Sequence, residues 1–341
     1  MESNLRPLTL GEILDRTAQL YRTNFLLFAG IFAVYAGVAL VLNLAQIGLG
    51  ALLRALHMAG AVVWMTAITT GINILILFLL FGAATAAICR AVAWVHLGEP
   101  ATIRGAYQSI LPRLGRYLWL MTITFFRAWT PIVLLYAGLI GTLFFYGGFR
   151  GSGTHTGAAS QQAAAANPHA VAAILVAVVA FFLLLIPAGI YTILMSLRYS
   201  LAIPASVVEN MKARKAIRRS IELAKGSWGR IFLLALLVGV IKLILVGVTQ
   251  AFVFVLAFKH LGQPEPLGPA VLAVSQVIAF FTNSFLGPIW AAGITLFYYD
   301  QRVRKEGYDI EWMMQAAGLT LPEPPPSAPL APQQDAGTAH E

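Results

Sequence analysis

The chain is short of charge. Only 11% of its 341 residues are Asp, Glu, Lys or Arg, where a soluble domain carries about 25%. That deficit excludes an ordinary cytosolic enzyme before any motif is considered. Cysteine is almost missing: the single Cys89 lies inside an apolar run. This excludes an intramolecular disulfide framework and a cysteine-based zinc site, and a lone thiol in such a run reads as packing. The sequence contains no G-x-S-x-G, H-E-x-x-H, Walker A or C-x-x-C pattern. Its six histidines (His57, His96, His155, His169, His260 and His340) are scattered. The fourteen Asp and Glu fall in termini, connections or segment ends. Carboxylates in the middle of apolar segments, which ion-coupled transporters use to carry protons or bind cations, are therefore lacking.

What the chain has is apolar length. Hydrophobic residues make up 59% and the mean hydropathy is +0.77. Crossing a hydrocarbon core of about 30 Å takes roughly 20 apolar residues at 1.5 Å each. Six segments qualify, at about 25–50, 61–97, 117–147, 170–206, 231–258 and 269–299. Pro131, Pro187, Pro204 and the Gly287–Pro288 pair interrupt three of them and are expected to kink them. The fold class expected is an all-α polytopic bundle of six transmembrane helices. Residues 1–24 place Glu12, Asp15, Arg16 and Arg22 at helical spacing, not a short basic region ahead of a short apolar run. They are expected to form an amphipathic helix rather than a cleaved signal, with the first span retained as an anchor.

Basic residues are distributed unevenly. Sixteen of the 23 Lys and Arg fall in the N-terminus, the second and fourth connections and the C-terminus, and three (Arg54, Arg150, Lys259) fall on the opposite side. The positive-inside rule then puts both termini in the cytoplasm of a bacterial inner membrane. The longest opposite connection, GGFRGSGTHTGAASQQAAAANPHA, reads as a flexible linker. Residues 319–341 are rich in Pro and polar residues and are expected to be a disordered tail after a basic and aromatic segment at 301–318.

An internal plan repeats three times. LTLGEILDRTAQLYRTNF, ATIRGAYQSILPRLGRYLW and KARKAIRRSIELAKGSWGRIF each precede a pair of spans, and each sets apolar residues three and four apart with charge on the other face. The expectation is three membrane hairpins within 25–300, each introduced by a cytoplasmic helix in the headgroup layer; the second and third of these helices lie at about 102–116 and 212–226. Their apolar faces would point into the membrane and their cations toward anionic lipid. The candidate headgroup contacts are Arg113, Arg116, Arg214, Arg218, Arg219, Lys225 and Trp228. Alone, the third stretch resembles a nucleic-acid arm or a calmodulin-type target. Its position between two spans favours lipid and no nucleic acid.

Two cations lie deep in the apolar segments: Arg127, about ten residues into the third, and Lys242, about twelve into the fifth. A charge near the midplane costs at least ~2.5 kcal/mol, so each should face the bundle or a wet cavity, or else snorkel. With Gln250, Gln276 and Asn283 they form a candidate intramembrane polar site for an anion or lipid headgroup; Asn43 and Asn73 are further amides. Arg90 and Arg198 fall near the ends of returning spans, and Asp300 is a candidate pairing partner for them.

RPLTLGEILDRTAQLYRTNFLLFAG, AIRRSIELAKGSWGRIFLLALL and LFYYDQRVRKEGYDIEWM resemble the glycerophosphoryl diester phosphodiesterase membrane domain family, which is related to the YciC-like bacterial membrane proteins. The resemblance covers roughly residues 5–315. In some relatives this membrane part is joined to a catalytic phosphodiesterase barrel, whose His-Arg pair, Glu-x-Asp metal pair and second His do not occur here. The resemblance therefore implies the membrane module alone, with no cofactor and no catalytic residue. The expected function is that of a non-enzymatic accessory or membrane-organising module acting with lipids or partner proteins. The alternative is a transporter or lipid- and anion-binding protein with a polar cavity in its bundle.

Overall fold

A computed structural model describes residues 8–57, 59–143, 168–259 and 269–307, together with positions 310 and 314. All regular structure among them is helical. In chain order the helices are α1 (Leu10–Thr23), α2 (Phe25–Ala55), α3 (Ala59–His96), α4 (Ile103–Ile110), α5 (Leu114–Leu143), α6 (Pro168–Tyr199), α7 (Ala202–Val208), α8 (Ala213–Ala224), α9 (Trp228–Lys259) and α10 (Pro269–Glu306), with a 3-10 turn at Leu111–Arg113 between α4 and α5. Six helices are long and apolar enough to cross a membrane, and the chain is a multi-pass helical bundle. The six expected segments correspond to α2, α3, α5, α6, α9 and α10, which pair as hairpins α2–α3, α5–α6 and α9–α10. The last span does not stop near 300. It continues as one helix to Glu306, so the start of the expected basic segment belongs to the span. The remainder of that segment beyond 307 (positions 310 and 314 aside), most of the Gly/Ala-rich connection and the whole 319–341 tail lie outside the described residues.

The short amphipathic helices begin and end for local reasons. Thr9 and Glu12 form a reciprocal cap on α1: the Glu12 N–H donates to Thr9 Oγ1 at 3.3 Å and the Thr9 N–H to Glu12 Oε2 at 2.7 Å. Thr102 caps α4 by accepting from the Gly105 N–H at 3.1 Å. α8 stops where Gly226 takes a φ of +79°, a left-handed conformation that favours glycine.

α4 and α8 each dock on the hairpin that precedes them. α4 lies on α3 and α2, and α8 lies on α5 and α6. α1 packs mainly on α10 of the third hairpin, which closes the arrangement into a ring. One device recurs at all three positions: a hydroxyl on the short helix donates to a main-chain carbonyl of a span. Tyr21 donates to Phe285 at 2.6 Å, Tyr107 to Ile31 at 2.8 Å and Ser220 to Arg198 at 2.8 Å. Burial holds the Tyr21 phenol protonated, pushing its pKa up to about 12.

The protein core sits at one end. Buried residues fall at 28–36 of α2, 83–93 of α3, 117–128 of α5, 231–238 of α9 and 284–303 of α10, the halves nearest the short helices. α10 is the central post, packed against α2, α9, α3 and α1. At Gly287 it faces α2, where an added Cβ would collide with the Phe32 ring. The distal halves of the hairpins carry exposed apolar residues such as Trp64, Val176, Leu243 and Val248, which is the surface a hydrocarbon solvent accepts.

The prolines sit inside continuous helices. Pro131 lacks an N–H, so it leaves the carbonyl four residues back, on Arg127, without its helical donor. Tyr191 of α6 supplies one, its hydroxyl lying 3.3 Å from that oxygen. The helix break is thus compensated from across the hairpin.

Candidate functional site

The charged end of the bundle divides its cations into two sets. The first is held by protein. Asp300 on α10 has a fully buried side chain. It pairs with Arg304 at 3.0 Å and with Arg230 of α9 at 3.2 Å, and it accepts from the Leu8 N–H at 2.8 Å and from Gln301 Nε2 at 3.1 Å. Arg230 and Arg304 both also donate to the Leu8 carbonyl. Gln301 in turn accepts from Ser227 at 2.7 Å. These contacts bind the segment ahead of α1 to α9 and α10.

A second lattice joins α8 to α10. Arg219 contacts Glu209 at 3.1 Å and pairs with Glu306, its Nη2 lying 2.6 Å from Oε2. Glu209 also accepts from the Tyr298 hydroxyl and lies 3.8 Å from Arg302. Burial alone would lower the Arg219 pKa, but Glu306 and Glu209 outweigh it and hold the guanidinium above its ordinary value. The Lys305 ammonium donates to the Glu222, Leu223 and Lys225 carbonyls at 3.0, 3.0 and 2.7 Å, capping the C-terminus of α8. Arg116 donates to the Asn210 and Met211 carbonyls at 2.7 and 3.2 Å.

These contacts correct three expectations. Asp300 pairs with Arg230 and Arg304, not with Arg90 or Arg198. Arg90 instead donates to the Val207 carbonyl at 2.6 Å, and the buried Nε atoms of Arg90 and Arg198 have no partner among the described residues. Arg219 and Arg116, expected at lipid headgroups, are engaged by carboxylates and carbonyls. The apolar face of α8 does not point into a membrane: Ala213, Ala216, Ile217, Ser220, Leu223 and Ala224 are buried against protein. An amphipathic pattern records that one face is apolar, not what covers it.

The second set of cations is exposed. Arg214 and Arg218 on α8 face Arg127 on α5 across an open groove of about 730 Å³. Arg113 and Lys225 are also exposed, and Trp228 is partly so. The candidate intramembrane site does not assemble as one unit. Arg127 belongs to this groove, whereas Lys242 is exposed on α9, and α5 and α9 make at most marginal contact. Gln250 is exposed on α9. Gln276 and Asn283 are half-buried on α10, and Asn283 donates to the Ala279 carbonyl of its own helix at 2.9 Å. A polar cluster that does form links α2 to α3: Gln46 donates to Thr70 at 2.7 Å and accepts from Asn73 at 2.8 Å.

Sequence reasoning passed over Glu209, Glu306 and Lys305. For Glu306 the i,i+4 spacing from Arg302 was a signal; for Glu209 and Lys305 the signal was only their place beside basic helices, which does not say what they contact. Among the described residues no group of three His, Cys, Asp or Glu is placed to hold a metal ion. Comparison of the chain with protein-family models, with curated proteins and with solved structures found no match.

Proposed function

We propose that this chain is a non-enzymatic multi-pass protein of the bacterial inner membrane, with its basic end toward the cytoplasm, that acts by engaging anionic lipids and partner proteins there. In this reading it corresponds to the membrane part of the glycerophosphoryl diester phosphodiesterase membrane domain family, whose opening and closing motifs it resembles.

One observation carries the reading: the division of the basic end into cations neutralised by protein and cations left exposed. Asp300, Glu209 and Glu306 tie helices together. Arg127, Arg214 and Arg218 have exposed side chains around one groove. A positive surface flanked by apolar spans is attracted to an anionic leaflet by about 1 kcal/mol per cation. The transporter alternative receives less support, because Arg127 and Lys242 lie on helices that make at most marginal contact.

The test is purification in mild detergent followed by native mass spectrometry, with reporter fusions at both termini to fix their side. Co-purifying anionic lipid or a stoichiometric protein partner, with cytoplasmic termini, is the expected result. Recovery of the bare chain, or termini on the opposite side, would overturn the reading.

A further inference from the structure

The groove between α5 and α8 is built from two matching helix stripes. Trp119, Phe126 and Arg127 share one face of α5, and Arg214, Ile217 and Arg218 share one face of α8. Three of its lining residues carry guanidinium groups and none carries a carboxylate. All three arginines are exposed, and none is paired with an acid among the described residues. Like charges gathered around one concavity repel unless an anion lies among them. A guanidinium presents a planar fork of donors that fits phosphate oxygens two at a time.

The walls say which kind of phosphate. Trp119 is 60% exposed and Phe126 58% exposed. Arg127 lies eight residues beyond Trp119, about 12 Å further along α5 at 1.5 Å per residue. The groove therefore runs from the level of α8 down the apolar flank of a membrane-spanning helix. A small soluble anion would satisfy the arginines and leave the aromatic wall bare. A phospholipid covers both, with its phosphate among the arginines and an acyl chain along Phe126 and Ile123.

The corresponding groove at the first short helix differs in charge. It measures about 450 Å³ between α1 and α9, and there Asp15 accompanies Arg22 among mainly apolar residues. A short helix docked on a span thus leaves a groove in either case. Three arginines with no carboxylate among them set the α5–α8 groove apart.

We propose that the α5–α8 groove is a binding site for one anionic phospholipid, with Arg127, Arg214 and Arg218 holding the phosphate and Ile123 and Phe126 lining its acyl chain. The inference deepens the lipid-engaging reading and rests on it. The test compares wild type, the site variant R127Q/R214Q/R218Q and a control variant R22Q/R104Q/K215Q. All are reconstituted in nanodiscs of phosphatidylcholine with 10–20% phosphatidylglycerol or cardiolipin (roughly the anionic fraction that gives a charged leaflet), released into detergent and weighed by native mass spectrometry. Wild type and control should retain one anionic lipid in preference to phosphatidylcholine, and the site variant should retain it about tenfold less or worse. Millimolar inorganic phosphate should not displace it.

Equal retention by the site variant overturns the proposal. Equal loss in both variants also overturns it, by showing diffuse attraction, yet leaves the membrane-module reading intact. Displacement by phosphate would make the groove a soluble-anion site and overturn the lipid assignment. The single variants R127Q and R218Q, checked for an unchanged melting temperature, separate loss of the site from loss of the fold.

Discussion

The Leu8 N–H donates to Oδ1 of Asp300 across 2.8 Å, joining positions 292 residues apart. The same carboxylate takes Arg230 and Arg304, so one buried side chain gathers the segment before α1, the start of α9 and the end of α10.

Replacing Asp300 by Asn should therefore destabilise the whole end of the bundle. Removing one partner of a buried ion pair costs about 3–5 kcal/mol. Arg230 and Arg304 are 29% and 35% exposed, and solvent screening brings the expected loss to the low end of that range. Thermal unfolding in detergent checks it: D300N should melt well below wild type. Combining it with R230Q should cost less than the sum of the two single changes. An unchanged midpoint would show that the carboxylate is not what joins these elements.

The approach of α2 to α10 makes a second prediction. An added methyl at Gly287 meets the Phe32 ring, which is nearly fully buried and has little room to retreat. G287A should cost about 1–3 kcal/mol by overpacking. F32L should recover part of that loss in the double variant, although it is destabilising by itself. Additive losses would mean that the clash is relieved elsewhere.

The proline in α5 supplies a third. Tyr191 donates to the Arg127 carbonyl that Pro131 leaves without a helical partner. Y191F should cost about 1 kcal/mol, the usual net worth of a hydrogen bond. In a P131A background the helix restores its own donor, and the same tyrosine change should then cost nearly nothing. Equal costs in both backgrounds would disprove the compensation.

The cap on α8 is the fourth. K305M removes the ammonium from three carbonyls at the helix C-terminus. A cation there contributes about 0.3–1 kcal/mol, so the global melting point should move little. Hydrogen exchange in residues 221–225 should accelerate several-fold. Unchanged exchange at that terminus would remove Lys305 from this role.

The six spans were legible in the sequence because hydrocarbon imposes a length and a composition that no other solvent requires. The threefold order of short helix and hairpin was legible for the same reason, with α1, α4 and α8 visible as breaks in the apolar pattern. What covers the apolar face of α8 was not legible, since Ile217 and Leu223 bury equally well in lipid or in protein. Nor was the pairing of Asp300 with Arg230, which carries the same charge as Arg90 and Arg198 and is selected by the packing of α9 on α10; Arg304, four residues along the same helix, was within reach of the spacing alone. Arg127 was picked out by its depth. Its neighbours Arg214 and Arg218 were placed at a headgroup layer, but nothing in the spacing joined residues almost ninety positions apart into one groove.

The docking of α1 on α10 sets a timetable. α1 leaves the ribosome more than two hundred residues before its seat exists, whereas α4 and α8 emerge after the hairpins that receive them. At a synthesis rate of about 5–20 residues per second, more than ten seconds separate the synthesis of α1, whose Ile13, Thr17 and Leu20 are buried in the finished fold, from that of the helix on which it mainly packs. Docking of α1 must therefore follow the synthesis of α10, however early α1 itself is made.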